Sequence, residues 1–117
     1  MVKWIVAAVS LIPAVACAKP LALDASTRAD VRCVVALSRA AGEAGAESPE
    51  ISQLQTITFY YIGRIDGRTP KLDLGAAFEQ EGKQMPHADY LRLPQLCRDE
   101  YERRADALNA SAEAMPD

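Results

Sequence analysis

The chain has 117 residues, half of them hydrophobic, with 13 Lys and Arg against 16 Asp and Glu and a formal net charge of −3. That length supports one domain with a modest core. The acidic balance, with no block of basic residues, argues against nucleic acid and anionic membrane surfaces as partners.

The first eighteen residues read as a secretory leader. Lys3 is the single cation of a short n-region, and Trp4 to Ala16 carry no charge. Ala16-Cys17-Ala18 then places small residues where a signal peptidase reads. Thirteen residues of helix span about 20 Å, short of the roughly 30 Å hydrocarbon core of a bilayer. The expected domains are therefore residues 1–18 as a signal peptide, 19–108 as one helical domain without a transmembrane segment, and 109–117 as a flexible tail. Ala14-Val15-Ala16-Cys17 also loosely resembles a lipoprotein processing site, which gives an alternative in which Cys17 carries a lipid anchor. In either case the mature chain holds 12 basic and 16 acidic residues, a balance of −4.

Export also settles the cysteines. Losing or lipidating Cys17 leaves Cys33 and Cys97, which can pair in only one way. An oxidising compartment favours that bridge. Neither cysteine stands in a C-x-x-C, and two cysteines with one histidine match no zinc-ligand spacing.

In chain order, Lys19 to Leu23 is expected to be an extended arm. Asp24, Ser26 and Thr27 are candidate caps for a helix reaching about Ala41, with Gly42 as its stop. Cys33, Val34, Leu37 and Ala41 share one face of it, and Arg28, Arg32, Arg39 and Glu43 mark the opposite, solvated one. Ser48-Pro49-Glu50 is the strongest start signal: a cap, a proline at the first helical position, and an acid at the positive end of the dipole. Ile51, Leu54, Thr58, Tyr61, Ile62 and Ile65 follow at helical spacing. This periodicity outweighs the strand-like composition of residues 56–62 and predicts the central, most buried helix. A shorter helix with Leu72, Leu74, Ala77 and Phe78 is expected to end at Gly82. A last helix starts between Ala88 and Pro94, with Pro94 in its first turn. It turns Leu96, Cys97, Tyr101, Ala105 and Leu108 inward. Asn109 to Asp117 is polar, and Asn109-Ala110-Ser111 is a formal glycosylation acceptor. The predicted fold is all-α, a small bundle of about four helices with one Cys33–Cys97 disulfide.

The most distinctive stretch is Phe59-Tyr60-Tyr61-Ile62-Gly63-Arg64-Ile65-Asp66-Gly67-Arg68. Each residue has a structural reading. Gly63 admits a neighbouring helix, Gly67 closes the helix in the left-handed conformation, and Asp66 bonds backbone or either arginine. The functional reading makes Tyr60, Tyr61, Arg64, Asp66 and Arg68 a partner-binding cluster. Tyrosine and arginine are enriched where proteins bind each other. Catalysis finds little support. The single histidine, His87, stands in a loop, Ser38 has no partner motif, and no phosphate loop, metal or cofactor pattern is present.

This block, with Asp30-Val31-Arg32-Cys33 upstream and Cys97 on a late helix, resembles a group of short exported, uncharacterised all-helical proteins of Gram-negative bacteria. The resemblance covers roughly residues 28–105 and implies a periplasmic or secreted location. The layout alone, a small helical chain stapled between an early and a late helix, is similar to acid-stress chaperones of the HdeA type. The expected function is a small exported, non-enzymatic binding protein for an unknown protein or a small anionic ligand. The alternatives are an acid-stress chaperone and a lipid-anchored envelope protein.

Overall fold

The structure is a computed structural model that describes residues 19–117. The leader and Cys17, with both expectations attached to them, lie outside the described residues. Four helices make up the fold: α1 (Ala25–Ala44), α2 (Ile51–Arg68), α3 (Leu74–Gln84) and α4 (His87–Glu113). There is no strand among the described residues, and no helix there is long and apolar enough to cross a membrane. A disulfide joins Cys33 of α1 to Cys97 of α4. The expected class, helix number and bridge are thus all present.

The helix ends follow their caps, and several differ from expectation. Asp24 is the cap of α1, accepting from the Thr27 amide at 2.7 Å. The helix runs through Gly42 and stops at Gly45, where φ is +84° and the amide donates to the Ala41 carbonyl at 3.1 Å. A helix interior tolerates one glycine at about 1 kcal/mol, so Gly42 alone does not end it. At the next start, Ser48 Oγ accepts from the Glu50 amide at 3.3 Å, and its carbonyl accepts from Ile51. Ser-Pro-Glu is therefore the turn before α2 rather than its cap and first residues: Glu50 holds the cap position without a side-chain bond, and the helix begins at Ile51.

Gly67 is helical rather than left-handed, and α2 ends one residue later. Thr69 takes φ −135°, as the residue before Pro70 must leave the helical region, and its hydroxyl donates to the Ile65 carbonyl. Asp73 caps α3, which passes Gly82 and reaches Gln84. α4 begins earlier than expected, directly after Pro86. This makes Pro94 its eighth residue, beyond the first turn, and removes the amide that the Tyr90 carbonyl would accept from. α4 also continues through Asn109 to Glu113, so the expected tail is helical up to that point.

The hub is α1, not α2: it packs against each of the other three helices. Its buried side chains include Val31, Val34, Ala36 and Leu37. α2 turns Leu54, Ile57, Tyr61 and Ile65 into the core, while Thr58 and Ile62 lie half-buried beside them. Of α4 only Cys97 is fully buried. Leu96 and Leu108, expected to face inward, are 46% and 69% exposed. α4 meets the bundle along a narrow seam of Leu93, Cys97 and Tyr101, and every residue after Ala105 is exposed. Among the described residues no other element comes within 4 Å of where a Cβ on Gly63 would stand, so no helix of theirs approaches closely there. At Gly82, α1 and α4 come within ordinary contact through Val35 and Tyr90, and its carbonyl accepts from the Tyr90 hydroxyl at 2.8 Å. The arm is pinned to α3, since Gln80 both accepts from the Leu21 amide and donates to the Leu21 carbonyl.

Candidate functional site

Arg64 and Arg68 stand four residues apart and so share a face of α2. That face meets Asp30 of α1, which is only 4% exposed. Arg68 Nη2 donates to Asp30 Oδ2, and Arg64 Nε lies 3.2 Å from the same oxygen. Arg68 also donates to Thr27 Oγ1 at 3.4 Å. Asp66, expected to serve these arginines, is exposed and takes no part. Two residues from each arginine, it leaves the helix on another side.

Tyr61 is buried, at 2% exposure, rather than displayed, and its hydroxyl donates to the Cys97 carbonyl at 2.7 Å. Burial, followed by the nearby Glu100 and Tyr60, pushes its phenol well above the ordinary tyrosine range. Tyr60 is half-buried and packs edge-on against Tyr61 and Tyr101, with ring centroids 5.0 and 5.3 Å away. Its oxygen accepts from Arg64 Nη1 at 3.1 Å. That bond, reinforced by Asp30, raises the Arg64 pKa further and keeps it charged. Glu100 of α4 lies 3.7 Å from Arg64. The hydrogen bond from Arg103, at 2.5 Å, lowers the Glu100 pKa.

A second buried carboxylate lies on the other side of α1. Glu81 of α3 is wholly inaccessible to solvent. Arg28 Nε comes within 2.9 Å of Oε1 and Arg32 Nη2 within 3.7 Å of Oε2. The closer contact is an ion pair without hydrogen-bond geometry, because neither Glu81 oxygen receives an aligned donor among the described residues. Arg32 also reaches Asp89 of α4, at 3.9 Å, while Arg92 holds Asp89 at 3.0 Å. Neither the role of Glu81 nor that of Arg32 was anticipated. One clue was available: Glu81 falls four residues after Ala77 and three after Phe78, on the apolar stripe of α3.

Between α1, α2 and α4 these groups surround a cleft of about 400 Å³. The buried Cys33–Cys97 bridge and Tyr61 lie beneath it, the exposed Ala29 lines it too, and Leu93 and Leu96 form an apolar wall. Arg32, Arg64 and Arg92 line it together with Asp30, Asp89 and Glu100, and Ser26 stands at the start of α1. Of the predicted cluster, only Tyr61 and Arg64 line the cleft. Arg68 acts from behind through Asp30, and Tyr60 belongs to a separate hollow of about 170 Å³ with Tyr101 and Leu108. The lining charges balance. Behind them, Arg68, Arg103 and Arg28 hold Asp30, Glu100 and Glu81, so that six arginines meet four carboxylates. The cleft thus sets three cations and three anions around one partly apolar hollow.

No family model matches this chain, and comparison with curated proteins and with solved structures returned no match.

Proposed function

We propose that this chain is an exported, non-enzymatic binding protein that works through the cleft over its disulfide. The observation that carries this reading is the convergence of three arginines and three carboxylates on a concave, leucine-walled site. Pockets of a few hundred Å³ with an apolar lining and a few convergent polar groups are the usual form of a small-ligand site. The leader-like first eighteen residues support export. So does a bridge spanning 64 positions of sequence, which is stable where thiols are oxidised. Membership of the exported two-cysteine helical group belongs to the same proposal, as does a periplasmic or secreted location. Attachment through Cys17 would change where the protein sits and leave the cleft as it is.

The test is affinity capture from a periplasmic extract, with small molecules and proteins both identified by mass spectrometry. Arg92→Gln and Leu96→Ser change exposed positions at the cleft and spare the core. Ligands retained by the wild type are expected to be lost from both variants. Identical retention by all three proteins would refute the cleft as the site.

One observation favours a second reading, an acid-responsive chaperone of the HdeA layout. α1 is tied to α2 through Asp30 and to α3 through Glu81, so both joints rest on ion pairs between helices rather than on apolar packing alone. Dye binding and suppression of client aggregation by acid-treated protein test it. Failure of both eliminates the chaperone.

A further inference from the structure

We infer that the ligand of this cleft is a small amphipathic carboxylate, anchored by Arg32 and lying along Leu93 and Leu96 above the disulfide. This rests on the cleft being the binding site.

Arg32 is the cleft arginine that makes no hydrogen bond among the described residues. Arg64 donates to Tyr60 and lies against Asp30, and Arg92 donates to Asp89. The terminal nitrogens of Arg32 approach Glu81 and Asp89 only to 3.7 and 3.9 Å. Both distances lie outside hydrogen-bond range. The side chain is 27% exposed and faces the cleft, so an incoming acceptor can reach it.

The chemistry of that acceptor follows from its surroundings. A guanidinium presents a planar fork that matches a carboxylate in a bidentate pair. A phosphate dianion would share the rim with Asp30, Asp89 and Glu100, and the further arginines, Arg28, Arg68 and Arg103, stand behind the acids rather than at the rim. One negative charge suits this balance better than two. The remainder of the ligand is apolar, since Leu96 is left nearly half exposed facing the cleft and Leu93 lies beside it. The carboxylate could belong to a free small acid or to the C-terminus of a short peptide.

The probe is octanoate, titrated into isotope-labelled mature protein with its disulfide intact. Nuclear magnetic resonance reads the Leu93 and Leu96 methyls and the Arg32 side chain. Octanoate is expected to shift all three saturably. Octanol lacks the charge and inorganic phosphate lacks the apolar body, so each should bind about tenfold more weakly or worse, the scale of one lost anchoring interaction. Arg32→Gln should weaken octanoate by a similar factor, while Arg39→Gln, on the same helix outside the cleft, should not. Because Arg32 also approaches Glu81, Leu96→Ser supplies a second variant that leaves every charge in place and should weaken octanoate too. Acetyl-dileucine as its acid and as its amide distinguishes the sources. A preference for the peptide acid over octanoate assigns the site to a peptide terminus, and the reverse assigns it to a free acid. Octanol or phosphate matching octanoate, or equal binding of the peptide acid and amide, overturns the inference. If octanoate does not bind while captured ligands still depend on Arg92 and Leu96, the ligand class is wrong and the binding function stands.

Discussion

Asp30 and Glu81 are both buried carboxylates on opposite sides of α1, and each is met by two arginines one helical turn apart. In the first case α2 supplies the arginines to α1, and in the second α1 supplies them to α3. The resemblance ends at geometry. Asp30 receives a charge-assisted hydrogen bond from Arg68, and its two arginines find further partners in Thr27 and Tyr60. Glu81 receives no aligned donor, and Arg32 is divided between two acids that it does not quite reach. A closed network fixes one arrangement of the helices, whereas a half-made one costs stability and leaves donors for something else. The contrast makes the α1–α2 joint structural and, under the proposed function, leaves Arg32 as the group for a ligand.

Cutting the disulfide tests how far these joints hold without it. A loop of this span gives about 4 kcal/mol by the chain-entropy relation, the largest effect expected here. Both buried carboxylates join α1 to α2 or α3, so α4 should loosen first. Hydrogen exchange on Cys33→Ser/Cys97→Ser protein is expected to show α4 amides losing protection before those of α1 and α2. Simultaneous loss along all four helices would mean that neither cluster holds its joint independently.

Neutralising each acid comes next in size. Asp30→Asn leaves Arg64 and Arg68 beside a neutral amide, and because both are about a third exposed the cost is about 1–2 kcal/mol. Glu81→Gln keeps the volume and relieves a fully buried charge that lacks aligned donors, so its effect should fall within about 1 kcal/mol of zero. Urea midpoints of the two variants measure the difference. Equal destabilisation would erase the distinction drawn between them.

The smallest effect is in acid. Glu100, on the Arg64 side, has a lowered pKa chiefly through Arg103, and Asp24 through the Thr27 amide. A lowered folded pKa contributes stability that is present above the unfolded value and lost as pH falls through the folded one. Melting temperature should therefore stay level from neutrality to about pH 5 and decline below about pH 4, under the unfolded values of these groups. Both are well solvated, so the slope is modest, and Glu100→Gln should flatten part of it. No change in slope for that variant would remove Glu100 from the network.

Particular residues show why only a small part of the site was legible. Tyr61 and Arg64 stood out because aromatic and cationic residues clustered beside a helical stripe. Arg28 and Arg32 looked like a solvated face; Arg28 is indeed half exposed, but α3 reaches that face, half-buries Arg32 and sets the buried Glu81 against both. A side chain's own helix tells which face it occupies but not which helix arrives there. The extent of α4 was misjudged similarly: Pro94 suggested a start, but seven helical residues from His87 precede it. Leu108 matched the inward period, yet α4 runs past the elements that could cover it.

The pattern along the chain determined by itself that this domain is helical, through periods of three and four between capping residues, and which two cysteines could pair, through parity once Cys17 is set aside. Only the tertiary structure decided that α1 is the hub, that Asp30 and Glu81 are buried, and that Arg32 faces a cleft. Local spacing governs hydrogen bonds within a helix, whereas ion pairs between helices depend on packing angles that the order of residues does not display.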